Sequence, residues 1–582
     1  MRQICLYYFT RDRTVYPIIS HPKGECMVSF QQSALSPARQ AAQTEDRTRS
    51  LMLLAVMLFT VFLSVANIFI VNVATPSIQR GLHASFSEVQ LVITSYTLAY
   101  AVTLIIGGRL GDRFGRKRML FVGVAGFTAA SFLCGIASGV TMLIVMRIIQ
   151  GLSAALMAPQ VLSLIQANYA PERRAAVFGM YGAAQGIAAT SGQLIGGLLL
   201  RWNPLALDWR TVFFFSVPIG IVIIGLIPFI AESRGESQAK LDWIGAAGAA
   251  AGLLMLIYPL VQGQKEGWPL GLIVCLVLSF PVLAAFVWYE RRLTRKGESP
   301  FMNVDLFRQR SFTYGMVIVF LLFCSQSAYF LVSAYFLQIG LGYTALKAGL
   351  IILPMGTGYF LASLYSAKAV AKFGLHVLTC GAVMTSLGYV YFAWSLHSTG
   401  LTAFGFEWIP ALFVLGFGQG AIAAPLTHVI LAQIRSSDIG SASGILTTGM
   451  QVAFAIGIAL IGLLFLNTLG SHADTVGRQF APQLQQAIAD FNPTGGQGEA
   501  VLRQFQSCYA EYARSTNPTV LPTGCSTDNS NVRGVLTDVL KQANARNYAE
   551  SFVFCLYVLA VFTAGLTPLV LGLIRRKQTG SV

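Results

Sequence analysis

Charged side chains are scarce in this sequence, and their scarcity excludes a large water-soluble domain. Asp, Glu, Lys and Arg make up 11% of the 582 residues, whereas hydrophobic residues make up 55%. A soluble protein of this length presents more polar surface than that. The apolar residues recur in uncharged blocks such as 51–73 and 551–574. Each block has the roughly twenty residues that a helix needs to cross a bilayer, so the sequence predicts an all-α integral membrane protein.

Motifs for nucleotide, metal and nucleophile chemistry are also missing. There is no phosphate-binding loop, no metal-ligand spacing and no nucleophile motif, and Gly356-Thr357-Gly358 has no accompanying lysine. We therefore expect no enzymatic activity, no ATP-driven process, no cofactor and no metal. Any work that the protein does on a solute should draw on an ion gradient or on the solute's own gradient.

The first fifty residues contain no long apolar run, so no cleavable signal peptide is expected. This segment has little to bury and is predicted to be a disordered cytoplasmic tail. Met27 remains an alternative start to Met1, because nothing before it has a pattern typical of structure.

The net charge of +16 reports membrane topology rather than nucleic-acid binding, because of where the 40 Lys and Arg lie. The first tail holds seven of them, and alternate short loops together with the last tail hold 21. The opposite short loops hold only five. This positive-inside pattern predicts a multi-pass protein with both termini in the cytoplasm. The expected location is the bacterial inner (plasma) membrane.

Apolar blocks predict fourteen spans, and a faint repeat predicts how they are grouped. Arg113-Phe114-Gly115 after the second span resembles Lys372-Phe373-Gly374 after the tenth, an offset that two six-helix halves with an inserted helix pair would produce. The predicted organisation is a tail at 1–50, a first half at 51–231, an inserted pair at 242–289, a second half at 312–468 and 550–574, an outward-facing loop domain at 469–549 and a cytoplasmic tail at 575–582.

The long segment 469–549 is predicted to form amphipathic helices, because Val476, Phe480 and Leu484 recur at helical spacing. It also holds Cys508 and Cys525. An oxidising exterior would permit a disulfide between them, and two free thiols remain the alternative.

A glycine-rich and charged turn between the second and third spans is the most specific motif. It reads Gly107-Gly108-Arg109-Leu110-Gly111-Asp112-Arg113-Phe114-Gly115-Arg116-Lys117-Arg118. It resembles the signature loop of the major facilitator superfamily. The resemblance implies that Gly108, Asp112, Arg113, Gly115 and Arg116 form a conformational latch, in which the Asp docks on the opposite half near Ser441-Ala442-Ser443-Gly444.

Arg147 in the fourth span, followed by Gln150-Gly151, resembles a second motif of that superfamily. An arginine at membrane depth is costly unless it has a partner, so we expect a functional role over a purely structural ion pair. The resemblance implies proton coupling.

Glycines of the fifth span resemble the antiporter motif of exporters. Gly182, Gly186, Gly192, Gly196 and Gly197 are predicted to share one face and to allow close helix packing. Exporters usually carry proline where this chain has Gln193, so packing alone remains an alternative to an antiport role.

Further segments resemble the fourteen-span drug:proton antiporter family. They are Asp208-Trp209-Arg210, Leu241-Asp242-Trp243, Gly416-Phe417-Gly418-Gln419-Gly420 and Gly440-Ser441-Ala442-Ser443-Gly444. The resemblance covers residues 51–468 and the last span. It implies the major facilitator fold and export of small amphiphilic molecules in exchange for protons, with the lipid bilayer as the surrounding partner and any periplasmic partner unknown.

One departure from that family concerns the first span, where Asn67 stands in place of the usual membrane carboxylate. An amide does not titrate, so another group must carry any coupled proton. The candidates are Asp112, Glu407 and His428, and His428 can equally be a packing residue. With no carboxylate beside Arg147, we expect anionic or neutral substrates to be favoured over cations.

Polar and aromatic residues of several spans are predicted to bind the substrate. They are Asn67, Asn72, Tyr96, Gln150, Gln193, Gln326, Tyr329, Gln419 and Gln451. Two other functions stay open: a carrier for one metabolite, which could be anionic, and a membrane sensor or complex subunit that transports nothing.

Overall fold

The computed structural model describes residues 19–20, 26–27, 37–84, 86–203, 206–234, 242–296, 302–399, 406–435, 438–489, 505, 508–509 and 530–579. The chain divides into two compact units, Met1–Met52 and Leu53–Val582. In the first unit, strands β1 (Ile19–Ser20) and β2 (Cys26–Met27) pair antiparallel, and helix α1 begins at Pro37. These elements lie in the tail that the sequence predicts to be disordered, and the rest of that tail lies outside the described residues.

Helices make up most of the described chain. In chain order they are α1 (Pro37–Gly81), α2 (Phe86–Phe114), α3 (Arg116–Gly135), α4 (Val140–Asn168), α5 (Pro171–Trp202), α6 (Thr211–Phe214), α7 (Ser216–Leu226), α8 (Trp243–Glu266), α9 (Leu270–Arg295), α10 (Arg310–Ala334), α11 (Ala345–Phe373), α12 (His376–Thr399), α13 (Ile409–Leu431), α14 (Ile439–Ala489), α15 (Ser530–Ala564) and α16 (Leu566–Thr579). Short 3-10 turns cover Asp208–Arg210, Ile227–Phe229, Val304–Arg308 and Phe406–Trp408, and a π-helical turn covers Tyr335–Gly340.

Within the described chain, 13 helical segments are long and apolar enough to cross a membrane. They match every predicted span except the fifth. Helix α5 is present there with 32 residues, but its many small and polar residues lower its apolarity. It packs among other helices of the bundle and so needs fewer lipid-facing apolar side chains. The all-α membrane fold is thus confirmed, whereas the number fourteen stays a prediction.

The two halves repeat the same local geometry. Helices α2 and α11 end at Phe114 and Phe373, and the glycines that follow both have positive φ, 107° at Gly115 and 61° at Gly374. A residue with a Cβ rarely adopts such angles, so each turn needs its glycine. In addition, α4 packs on α2 and α3 as α13 packs on α11 and α12. This agrees with the repeat read from the sequence.

The predicted inserted pair consists of α8 and α9, which pack against each other. Asp242 caps α8, because its carboxylate accepts hydrogen bonds from the backbone N–H groups of Ile244 and Gly245. Helix α8 also packs on α2 of the first half and on α14 of the second. Helix α8 of the inserted pair therefore lies at a seam between the halves, and α9 packs on α8.

Helix α14 continues well beyond the predicted thirteenth span, over 51 residues in all. That is about 77 Å at 1.5 Å per residue. Val476 and Leu484 of this extension are buried with Tyr509 and with Val539 of α15 in a small core of their own. The predicted amphipathic helix is therefore present, and it is an extension of the span rather than a separate element.

Candidate functional site

A cavity of about 570 Å³ lies between the two six-helix halves. Its walls come from α1, α2, α4 and α5 of the first half, from α8 of the inserted pair, and from α10, α11, α14 and α15 of the second half. Sites for drug-sized ligands measure roughly 300 to 1,000 Å³. Among the described residues, the lining contains no Asp, Glu, Lys, Arg or His side chain. The cavity is thus large enough for an organic molecule and carries no formal charge of its own.

Three predicted binding residues line this cavity, namely Asn72, Gln326 and Gln451. The other six residues that were expected to line it do not. They are Asn67, Tyr96, Gln150, Gln193, Tyr329 and Gln419. The helix period gives the reason for α1. Asn67 and Asn72 are five residues apart, a rotation of about 140°. When Asn72 points into the cavity, Asn67 points away from it.

Arg147 lies within the first half, outside the cavity lining, and is 1% exposed. Its Nη1 donates hydrogen bonds of 2.7 Å to the Asn67 amide oxygen and 2.6 Å to the Gln150 amide oxygen. Its Nε donates to the backbone carbonyl of Val92 at 3.0 Å. These partners are all neutral, and none is a carboxylate. Amide and carbonyl oxygens therefore stabilise the buried guanidinium. These contacts are hydrogen bonds to neutral groups and do not form an ion pair.

The surroundings of Arg147 hold the guanidinium in one orientation. Its Cζ lies 4.2 Å from the centre of the Tyr96 ring. Gln150 donates in turn to Ser131 Oγ at 2.7 Å. The Nδ2 atom of Asn67 is buried and has no hydrogen-bond partner. The network thus engages Nε and Nη1 of the arginine and is incomplete at the asparagine.

An equivalent position in the second half holds Gln419. A Cβ at Gly151 would overlap the backbone of Tyr96, and a Cβ at Gly420 would overlap the backbone of Tyr359. Gln150-Gly151 and Gln419-Gly420 therefore hold matching places on α4 and α13, which is a further sign of the repeat.

Gln419 is fully buried and lies outside the cavity lining, where it contacts a residue of the lining. It accepts a hydrogen bond of 3.2 Å from Gln326 Nε2 and donates one of 3.3 Å to the hydroxyl of Tyr389. It therefore orients Gln326, which does line the cavity. Tyr329 packs 5.9 Å from the Tyr389 ring and 6.4 Å from the Phe552 ring, and so belongs to an aromatic core.

The signature loop contacts the other half. The Asp112 carboxylate is buried and pairs with Arg116 at 3.0 Å. A Cβ at Gly440 would overlap this carboxylate, and a Cβ at Gly108 would overlap the Gly440 carbonyl. Gly440 is the second residue of α14, where the helix dipole favours an anion. The loop thus docks at the start of α14, immediately before the four residues named by the superfamily resemblance.

Contact between the halves continues next to this docking site, where Ser163 of α4 hydrogen-bonds Ser443 of α14 at 3.3 Å. We call this region the latch end. The bundle is closed there, and the cavity lies further along the helices. Arg113, another predicted latch residue, is exposed and stacks its guanidinium 5.4 Å from the Phe114 ring. It does not contribute to the contact that closes the latch end.

The segment after α7 anchors the loop on its other side. The Arg116 backbone N–H donates to the Ser233 carbonyl at 2.8 Å, and the Arg116 side chain donates to Ser233 Oγ at 3.1 Å. Glu232 accepts the Lys117 backbone N–H at 3.0 Å. Sequence reasoning missed both anchoring residues, because they lie more than 100 positions from the loop and carry no motif.

The five glycines of α5 do not share one face. Gly192 and Gly196 pack against α1 near Ala66 and Ile70, whereas Gly182, Gly186 and Gly197 pack against α11 and α13. A spacing of ten residues between Gly182 and Gly192 rotates the helix by about 280°. The glycines therefore let α5 approach α1 on one side and the opposite half on the other.

The remaining candidates for proton coupling also lie outside the cavity. The His428 ring is centred 5.7 Å from the Phe178 ring of α5. Glu407 is exposed in a short 3-10 turn before α13. Neither residue, nor Asp112, appears in the cavity wall. No cluster of three or more His, Cys, Asp or Glu side chains suited to a metal occurs in the part of the chain that the structure covers.

Cys508 lies in the small core beside α14 and α15, where the Tyr509 hydroxyl donates to the Ala543 carbonyl at 3.0 Å. Cys508 is disulfide-bonded. Cys525 lies outside the described residues, so the pairing of these two cysteines stays a prediction.

The sequence also missed much of the cavity wall. Ile257 and Val261 of the inserted helix α8 contribute to it, although the inserted pair has no counterpart in the repeated halves. Several tyrosines contribute as well, namely Tyr100, Tyr181, Tyr335, Tyr359 and Tyr548. A tyrosine in a membrane span is itself a usable signal, because its hydroxyl needs a partner or water.

Comparisons with known proteins agree with this architecture. The family model of the Major Facilitator Superfamily matches residues 57–458. The "Probable actinorhodin transporter" of Streptomyces coelicolor is 33% identical over 503 residues, which cover 85% of this chain and 86% of the relative. The "Puromycin resistance protein pur8" of Streptomyces alboniger is 32% identical and covers 72% of this chain and 82% of its own length. The "Multidrug resistance protein Stp" of Mycobacterium tuberculosis is 31% identical over 76% of this chain and 80% of its own length.

A solved structure has the same fold. The crystal structure of the human organic anion transporter MFSD10 (TETRAN) aligns with 88% of this chain and 99% of its own with a TM-score of 0.51, at 12% sequence identity. The expected fold class is therefore confirmed, and the relatives confirm the expectation of a transporter rather than an enzyme. The chain belongs to the major facilitator superfamily and is a multi-pass membrane transporter.

Proposed function

We propose that this protein exports small amphiphilic molecules, including antibiotics, by alternating access and in exchange for protons. The observation that carries the proposal is the uncharged cavity of about 570 Å³ between two halves that touch each other at the latch end. The names of three relatives, which refer to an antibiotic transporter or to drug resistance, support the substrate class.

Alternating access requires contacts between the halves that form in one state and break in another. The docking of Asp112 and Gly108 on Gly440 is such a contact, because it is small, polar and confined to one end of the bundle. We infer that the described state is closed at the latch end. With the termini in the cytoplasm of a bacterial plasma membrane, as the charge pattern predicts, the latch end is cytoplasmic and this state precedes release to the outside.

Proton coupling in this scheme runs through Asp112 rather than through the cavity wall. One oxygen of its carboxylate pairs with Arg116, and the other is buried without a hydrogen-bond partner. Protonation would remove the negative charge that attracts both Arg116 and the start of α14. The latch would then loosen when Asp112 binds a proton, which links protonation to the conformational change. Arg147 supports the first half in this scheme, and we expect transport to depend strongly on it.

Uptake into proteoliposomes tests the proposal. Purified protein would be reconstituted and supplied with a panel of chemically unrelated antibiotics, with and without an imposed pH gradient. We expect several compounds to be transported and their flux to rise with the gradient. Flux that ignores the gradient would contradict proton coupling. Transport of one compound only would favour the metabolite carrier, and no transport of any compound would favour the sensor.

A further inference from the structure

The described lining of the cavity carries no charged side chain, although the chain has 24 acidic and 40 basic residues. A charged ligand that enters such a site leaves its hydration shell and gains no counter-charge. The cost of burying an unpaired ion exceeds the cost of burying a neutral polar group by several kcal/mol. The lining therefore disfavours both anions and cations.

Arg147 adds to this selection without offering an anion site. Its guanidinium lies outside the lining and spends Nε and Nη1 on Val92, Asn67 and Gln150. Those donors cannot reach a ligand in the cavity. The positive charge nevertheless remains inside the bundle, where the low dielectric strengthens both its repulsion of a cation and its attraction of an anion. Without a hydrogen bond from Arg147, that attraction only partly offsets the dehydration of an anion. The expectation that anionic or neutral substrates are favoured over cations stays a prediction.

The polar groups of the wall can both donate and accept hydrogen bonds. Gln185 Nε2 donates to the Tyr181 hydroxyl at 3.2 Å, and Gln326 Nε2 donates to Gln419 at 3.2 Å. Each amide nitrogen carries two hydrogens, so these bonds leave a second N–H as a donor beside the amide oxygen as an acceptor. Hydroxyl groups of a ligand, which donate and accept, match both.

The apolar part of the wall includes aromatic rings from both halves. The rings of Phe69 and Phe330, one from each half, are centred 5.5 Å apart at the cavity. Phe323 and Phe454 form a second pair at 5.8 Å. Aromatic faces of this kind stack on a planar ring system.

We propose that the cavity selects uncharged, planar aromatic compounds that carry hydroxyl groups. This substrate class rests on the proposed function, since it takes the cavity to be the transport site. Binding and transport can be measured separately, however, so the two proposals can fail independently.

Three fluorescent probes with one ring system test the proposal: 9-anthracenemethanol, 9-anthracenecarboxylate and the (9-anthracenylmethyl)trimethylammonium ion. Their dissociation constants would be measured by fluorescence titration of the purified full chain in detergent. We expect the neutral alcohol to bind at least about ten-fold more tightly than either ion. Equal binding of the three probes, tighter binding of an ion, or no binding of the alcohol would overturn the proposal.

A matched pair of variants locates the selection in the cavity. Gln451→Glu places a carboxylate in the lining, whereas Gln433→Glu makes the same change at an exposed position after α13 that accepts a hydrogen bond from Ser311. We expect Gln451→Glu to improve binding of the trimethylammonium probe about ten-fold and Gln433→Glu to leave all three constants unchanged. Identical effects of both variants would contradict selection by the lining. Selective binding without any flux in proteoliposomes would instead contradict the proposed function and leave the selectivity standing.

Discussion

The Arg147 guanidinium and the Asn67 amide oxygen are 2.7 Å apart, and this contact joins α4 to α1 within the first half. Asn67 occupies the place of a carboxylate in the resembling family, so the arginine keeps its charge with only neutral partners around it. The neighbouring polar residue of α1, Asn72, faces the cavity instead. Two asparagines of one helix therefore have different environments, and substituting each in turn can distinguish their effects on transport.

Asn67→Asp should steepen the dependence of transport on the pH gradient, because it gives Arg147 a titratable partner. It should change the preference between neutral and cationic probes less than Asn72→Asp does, since Asn67 lies outside the cavity and acts only through the charge of Arg147. Asn72→Asp should do the reverse, because it adds a negative charge to the cavity wall. Flux at several imposed gradients, measured for a neutral and a cationic probe, checks both outcomes. A change in probe preference in Asn67→Asp alone would contradict the placement of the two residues.

Asp112→Asn should abolish transport and leave membrane abundance near normal. The amide keeps the size of the carboxylate but loses its attraction to Arg116 and to the start of α14, so the latch end should no longer close reliably. Flux and the amount of folded protein, measured in parallel, check this. Wild-type flux in the variant would exclude a latch role for Asp112.

Gly440→Ala should impair closure from the other side of the same contact. Its Cβ would overlap the Asp112 carboxylate, so α2 and α14 must move apart. Gly225→Ala in α7 is the matched control, since a Cβ there meets nothing within 4 Å. Thiol labelling of a cysteine introduced at Ser443, which lies in the latch-end contact, should rise in Gly440→Ala and remain low in Gly225→Ala. Equal labelling in both backgrounds would show that the close approach is unimportant.

Val261→Trp should reduce transport of bulky compounds more than transport of small ones, because this position of α8 lines the cavity. Leu254→Trp changes the same helix at a side chain that is 45% exposed and should have little effect. Flux of a small and a large neutral compound through both variants checks the contribution of the inserted pair. Equal loss for both compounds in Val261→Trp would indicate misfolding rather than a narrowed cavity.

The Cys508–Cys525 pair should resist alkylation until the protein is reduced. Cys508 is already disulfide-bonded and packs in the small core of α14 and α15. Peptide mass mapping with and without prior reduction identifies its partner. Because this core lies outside the cavity wall, Cys508→Ser should lower the melting temperature and leave flux per folded molecule unchanged. Loss of flux from a normally folded variant would show that the segment 469–549 takes part in transport.

The sequence by itself determined the membrane fold and the family. Apolar blocks, the glycine-rich charged turn and the lone arginine at Arg147 are local patterns, and each has a meaning that does not depend on which helices become neighbours. The positions of the spans agree with the helices, and the paired turns at Gly115 and Gly374 agree with the repeat. Among the fourteen predicted spans, only α5 is less apolar than a membrane-crossing helix, and it is packed against protein on several sides.

Only the tertiary structure decided which polar residues face the cavity. A polar side chain in a span must avoid lipid, but it can do so in the cavity or against another helix, and the sequence does not distinguish the two. Asn72 and Gln451 face the cavity, whereas Asn67 and Gln150 form hydrogen bonds with Arg147. The contributions of α8 and of Glu232 were equally invisible, because they depend on the approach of segments that are distant in the chain. The uncharged character of the cavity follows from that packing.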